Sequence, residues 1–220
     1  MTAKKSSSTS STSLQLRTEY ASMDDLFRSI TDTGQTLDTK AMTMRNRHIF
    51  HRLNSERMIE EILPRDLEIG ASYHVISGGD VDSFSYLQWM LRKTRVDRLL
   101  CSTWCIAKTD IEEFHRQIKL GNIGRLDFYV GEILPGSFPE EYAQMEELCR
   151  DSGGRIAVFR NHSKVMAGIR GHDIGFVIES SANVNTNPRT EQTVVTIDRP
   201  LADFFFEFYD GVTSFDKNWR

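Results

Sequence analysis

"HSKVMAGIRGHDIGFVIESSAN", residues 162–183, is the stretch on which the reading of this chain turns. Two apolar runs, 163–168 and 174–180, read as β-strands. Between them "RGHD" (170–173) has the glycine and aspartate of a turn. Two strands around a turn form a hairpin, which returns the chain to the level it left. Side chains two apart on a strand share a face. His162 and Lys164 are therefore expected side by side on one strand, with Ser181 and Asn183 returning beside them. Glu191, opening the next run "QTVVTI" (192–197), is expected to approach the same place.

Upstream of this hairpin the pattern alternates. "SYHVIS" (72–77), "DRLLCS" (97–102), "LDFYVG" (126–131) and "RIAVF" (155–159) read as strands. Helical runs separate the first four: Val81, Phe84, Leu87 and Leu91 share one face, and "TDIEEFHRQIKLG" starts with Thr109 and Glu112 as a capping box. "NSERMIEEILP" reads as a helix stopped by Pro64, and "PLADFFFEFYDGV" as a last helix with Pro200 in its first turn. Asp80, after "GG", reads as a helix cap. The expected fold is a single α/β domain over residues 51–220: a mixed, largely parallel sheet flanked by helices. Residues 1–13, basic and serine-rich, read as a disordered tail, and 14–50 as an N-terminal extension with a short helix at "SMDDLFRSI".

The 220 residues suffice for a sizeable core, and 39% hydrophobic with 26% charged is ordinary for a globular protein. A net charge of −4 argues against a surface coated for nucleic acid. Yet residues 155–172 hold Arg155, Arg160, Lys164 and Arg170 and no acid, which reads as a local positive patch for an anionic polymer such as DNA. Cys101, Cys105 and Cys149 are odd in number and scattered; with no signal peptide read, a reducing, cytoplasmic compartment is expected. No zinc set and no Asp-rich metal pattern is read, and no apolar run reaches the length of a membrane span. Stable membrane insertion and a cofactor are therefore not expected.

The cluster at the hairpin has a chemistry. A lysine ammonium, an asparagine amide and a serine hydroxyl donate hydrogen bonds to anionic oxygens. A neutral histidine offers a nucleophilic nitrogen, and a carboxylate on its other nitrogen stabilises the charged ring. Donors around a five-coordinate phosphorus stabilise its extra charge. Trp104, in "STWCIAKTD" after a strand, is a candidate to stack on a base or to wall a groove, and Arg160 a candidate phosphate contact. The bland alternatives are a strand-edge histidine, a solvated Glu191, and Asn185 and Asn187 as turn formers.

"HSK" (162–164), "SSAN" (180–183) and the downstream "TEQ" (190–192) resemble the HKD motif of the phospholipase D superfamily. The strand–helix order over residues 70–212 resembles that fold too, and the whole looks like small phospholipase D-like proteins of phages and mobile elements. Ile169 stands where that family has aspartate, and Ser180 where it commonly has glycine. The resemblance implies His162, Lys164, Asn183 and Glu191 as catalytic residues and Ser181 as a substrate contact. It implies a metal-independent phosphodiesterase, foremost a nuclease, with a phosphohistidine intermediate. A single motif copy implies a homodimer whose two His162 rings share one site. The alternatives are a catalytically silent phage or mobile-element protein with the same fold, acting in the host cytoplasm or virion, and, more weakly, a phospholipase.

Overall fold

The computed structural model describes residues 39–185 and 188–215, with side chains from Phe50 onward. The tail and short-helix readings for residues 1–38 lie outside the described residues. Residues from Arg47 onward belong to one compact unit. Helix α1 (Thr39–Ile62) begins well before the stretch from Asn54 read as helical, and ends ahead of Pro64.

The rest alternates: β1 (Ser72–Ser77), α2 (Ser83–Leu91), β2 (Val96–Thr103), α3 (Lys108–Lys119), β3 (Ile123–Gly131), α4 (Leu134–Ser137), α5 (Pro139–Asp151) and β4 (Ile156–Phe159). Then come β5 (Val165–Arg170), β6 (Ile174–Ser180), β7 (Glu191–Thr196) and α6 (Arg199–Asp210). One seven-stranded sheet results, in the order β1-β7-β6-β5-β2-β3-β4. β2 pairs in parallel with β3, and β3 with β4; the other four ladders are antiparallel. Followed through these ladders, β1, β2, β3, β4 and β6 run one way, and only β5 and β7 oppose them. The mixed sheet of the sequence reading is thus present, largely parallel in strand direction although most neighbours are antiparallel.

Both faces of the central strands are covered, which is why they read as unbroken apolar runs. Leu99, Cys101, Leu126, Phe128, Val130, Phe176 and Ile178 belong to the core shared with the end of α1, α2, α3 and α5. There Phe84, Phe114 and Phe128 meet edge to face, with centroids 4.8 and 5.2 Å apart. The alternate residues Leu100, Tyr129, Ala157, Ala167 and Val177 face α6, packing on Ala202, Phe206 and Tyr209. Two arginines fasten α6. Arg98 donates to Asp127 (2.6 Å) and to Asp210 (2.5 and 2.8 Å). Arg155 donates to the carbonyls of Tyr209, Asp210 and Val212 at the end of that helix.

Two caps differ from the sequence reading. Asp82, not Asp80, caps α2: its side chain accepts from the Phe84 N–H. The α3 start has Ala107 at the cap position with no side-chain bond, and Thr109 lies inside the helix. The last helix carries Pro200 in its first turn and is capped by Asp198, which accepts from Leu201 N–H.

Candidate active site

His162 and Lys164 do not lie on a strand. β5 begins at Val165, and residues 161–164 are irregular. The topology requires this. β4 and β5 are consecutive in the chain but separated in the sheet by β3 and β2. Residues 160–164 must cross three strand spacings, about 14 Å, which five extended residues can just span. They cross at the ends where β2, β3 and β4 finish, the usual place for a ligand in an α/β sheet.

Asn161 anchors the crossing. It is 4% exposed, and its Nδ2 donates to Tyr129 O (2.8 Å) on β3 and to Ser102 Oγ (3.0 Å) on β2. At the other end Ser180 N–H donates to Lys164 O (3.0 Å), which opens the β5–β6 hairpin. That hairpin turns at Gly171, whose φ of +54° suits glycine. It brings the 181–185 segment back to the loop after β2: Val184 bridges Ile106, and Ala107 N–H donates to Val184 O.

The expected residues therefore converge on one end of the sheet. Lys164 Nζ donates to the His162 carbonyl (2.7 Å) and stands 3.4 Å from His162 Nδ1. Burial lowers the pKa of this ammonium, while the Cys105 sulfur and the Glu191 carboxylate pull it back up. Asn183 Oδ1 accepts from Trp104 N–H (3.3 Å), with the Thr103 hydroxyl, which donates to Cys105 O (2.7 Å), 3.4 Å away, leaving Asn183 Nδ2 as the donor group. Ser181 Oγ donates to Glu191 and accepts from Gln192 N–H (2.9 Å). Ser180, at the family's glycine position, uses its hydroxyl locally: it meets Thr193 Oγ1 (2.8 Å) and accepts from Ala182 N–H (3.1 Å).

Trp104 stands beside the histidine, ring centroids 6.0 Å apart. It lies over Gly131: a Cβ there would fall 2.6 Å from Trp104 Cδ1. Arg160 is exposed in the crossing segment. The positive patch expected over residues 155–172 is split. Because β4 runs up and β5 runs down, Arg155 and Arg170 fall at the opposite end of the sheet from Arg160 and Lys164. Arg155 fastens α6, and Arg170 bonds Thr94 (3.3 Å).

Glu191 is placed by Ser181 and lies within electrostatic reach of Lys164. The Nδ1 side of the His162 ring faces the Lys164 ammonium. Among the described residues, no second histidine shares a hydrogen bond or ring contact with His162. Nor is any group of three or more His, Cys, Asp or Glu side chains among them placed to hold a metal ion. The sequence reading missed Asn161, Ser102 and Tyr209, whose buried polar atoms support the crossing. Only Asn161, adjoining "HSK", could have been suspected.

No family model and no curated protein matches this chain. Solved structures do. The chain is similar in fold to a phospholipase D family member. That protein, Nuc from Salmonella typhimurium, is 16% identical over 64% of this chain and 91% of its own, with a TM-score of 0.48. NucT from Helicobacter pylori is 12% identical over 64% of this chain and 94% of its own, at 0.48. Polyphosphate kinase from Porphyromonas gingivalis is 15% identical over 67% of this chain, at 0.49; the match spans 27% of that protein. The likeness concerns fold. No helix among the described residues is long and apolar enough to cross a membrane.

Proposed function

We propose that this chain is a phosphodiesterase, foremost a nuclease, that forms a phosphohistidine on His162 without a metal ion. The observation that carries this reading is the convergence of His162, Lys164 and Asn183 on one sheet end, with Ser181 and Glu191 at the hairpin mouth. Lys164 and Asn183 Nδ2 supply donors for the non-bridging oxygens of a phosphodiester. A ring nitrogen of His162 attacks phosphorus, and the bond from phosphorus to the leaving oxygen breaks. The leaving oxygen needs a proton, and a second imidazole is its natural source. We assign that role to His162 of the partner subunit in a twofold dimer. It then takes a proton from water as the oxygen attacks and the phosphorus–nitrogen bond breaks, restoring both rings. Arg160 and Trp104 are assigned to the substrate on either side, the first to a phosphate and the second to a base.

One observation favours a second reading, a silent protein that binds without cutting. The Lys164 ammonium sits against His162 Nδ1, where it offers no stabilisation to a charged ring. Cleavage of plasmid DNA in excess EDTA separates the two, comparing wild type with His162→Ala and checking mass by light scattering. Nicking by a dimer that vanishes in His162→Ala supports the enzyme. DNA binding without nicking supports the silent scaffold.

A further inference from the structure

We propose that Tyr209, on the last helix, is a positioning residue for the His162–Lys164 pair and acts through the serine between them. This rests on the proposed catalytic role of that pair. Ser163 is exposed, yet its hydroxyl has three partners: Asn161 Oδ1 (2.6 Å), Tyr209 OH (2.6 Å) and Ser102 Oγ (2.7 Å). Tyr209 is 3% exposed and Ser102 fully buried.

The hydrogen-bond directions follow by elimination. Asn161 has its other amide atom on the Tyr129 and Thr103 carbonyls, which only accept, so that atom is Nδ2. The atom facing Ser163 is then Oδ1, which only accepts. It takes both the Ser163 N–H (3.0 Å) and the Ser163 hydroxyl proton. The lone pairs of Ser163 Oγ remain for Ser102 and Tyr209, so both of those hydroxyls donate to it. Ser102 in turn accepts from Asn161 Nδ2. Every hydroxyl and amide proton of the network then has an acceptor.

The consequence is mechanical. Residues 161–164 have no ladder partner and would otherwise be a loose crossing. The network pins Ser163 by its N–H and its side chain, and Ser180 pins the Lys164 carbonyl. The peptides carrying His162 and Lys164 are thereby fixed from both sides. Tyr209 is the one member supplied by α6. Its ring lies 4.7 Å from Tyr129, and its own carbonyl is held by Arg155. Seating of α6 is thus transmitted to the site by one hydroxyl.

The test compares the full chain with Tyr209→Phe, Ser163→Ala and Ser163→Thr. Three readouts are taken: melting temperature, hydrolysis of bis(p-nitrophenyl) phosphate, and the His162 ring resonances titrated with pH and with inorganic phosphate. Tyr209→Phe is expected to keep a wild-type melt and KM, to lose about tenfold or more in kcat, and to shift the His162 titration; Ser163→Ala, which also takes the acceptor from the buried Ser102 and Tyr209 hydroxyls, is expected to show the same two changes at a lower melting temperature. Ser163→Thr, which keeps the hydroxyl, is expected to restore both. A Tyr209→Phe protein whose His162 titration and phosphate response match the wild type overturns the proposal. If the wild type fails to hydrolyse the ester, the phosphodiesterase reading falls, and the resonances alone decide the positioning role.

Discussion

The Lys164 ammonium of this protein lies 2.7 Å from the carbonyl of His162 and 3.4 Å from that residue's Nδ1. Both partners are acceptors that a phosphate oxygen can replace, and burial already lowers the pKa of the ammonium. A bound phosphodiester therefore offers the ammonium anionic acceptors in place of neutral ones. Lys164→Met is expected to weaken phosphodiester binding by about 1.5–3 kcal/mol, the worth of a hydrogen bond to a charged group. The lysine stands at the rim of the sheet, so the melting temperature is expected to hold. Calorimetric titration with a short oligonucleotide, beside a thermal melt, checks both.

Trp104 and Gly131 form a pair in which the small residue makes room for the large one. Trp104→Ala is expected to reduce affinity for single-stranded oligonucleotides by about 1–3 kcal/mol, the range for a base stacked on an aromatic ring. Gly131→Ala is expected to displace the indole and to reproduce much of that loss with the tryptophan still present. Fluorescence quenching on oligonucleotide binding checks this; equal affinity for all three proteins would remove Trp104 from the substrate site.

Under α1, Arg52 bridges two buried carboxylates, Asp82 (3.1 Å) and Asp110. One cation cannot fully compensate two anions away from water. Burial first, then Asp82, pushes the Asp110 carboxyl up to about 7, against the pull of Arg52. An acid raised in this way keeps its proton in the folded state while the unfolded chain has lost it. Its stabilising contribution is complete below about pH 4, the ordinary carboxylate range, and is lost as pH rises through 7. Wild type is expected to melt higher at pH 5 than at pH 8, with a smaller difference in Asp110→Asn. Melts across that range check the sign.

Asn161 is expected to matter for stability as well as for the site. Asn161→Ala takes the side-chain donor away from the Tyr129 carbonyl and from Ser102 Oγ among buried neighbours. A loss of about 1–3 kcal/mol follows from leaving such groups unsatisfied. Chemical denaturation, read as a lower midpoint at unchanged slope, measures it.

Much of this arrangement was legible in the sequence. The apolar runs of β5 and β6 and the glycine between them gave the hairpin, and the hairpin alone brings Ser181 and Asn183 back to the level of Lys164. What strand periodicity could not supply was sheet order. Since β4 and β5 are not neighbours, His162 and Lys164 sit on a crossing rather than a strand. The same order sends Arg155 and Arg170 to the far end and dissolves the expected basic patch. Tyr209 was invisible for a related reason: within "FFFEFYD" it reads as one more core aromatic, and only packing reveals that its hydroxyl meets Ser163.

The most direct measurement is to trap the intermediate. The protein is mixed with a short oligonucleotide in excess EDTA, quenched within a turnover, digested and weighed by mass spectrometry. A nucleotidyl phosphate adduct on the peptide carrying His162, absent from His162→Ala, is the expected result. Turnover with no adduct there, or an adduct on another residue, would contradict the account.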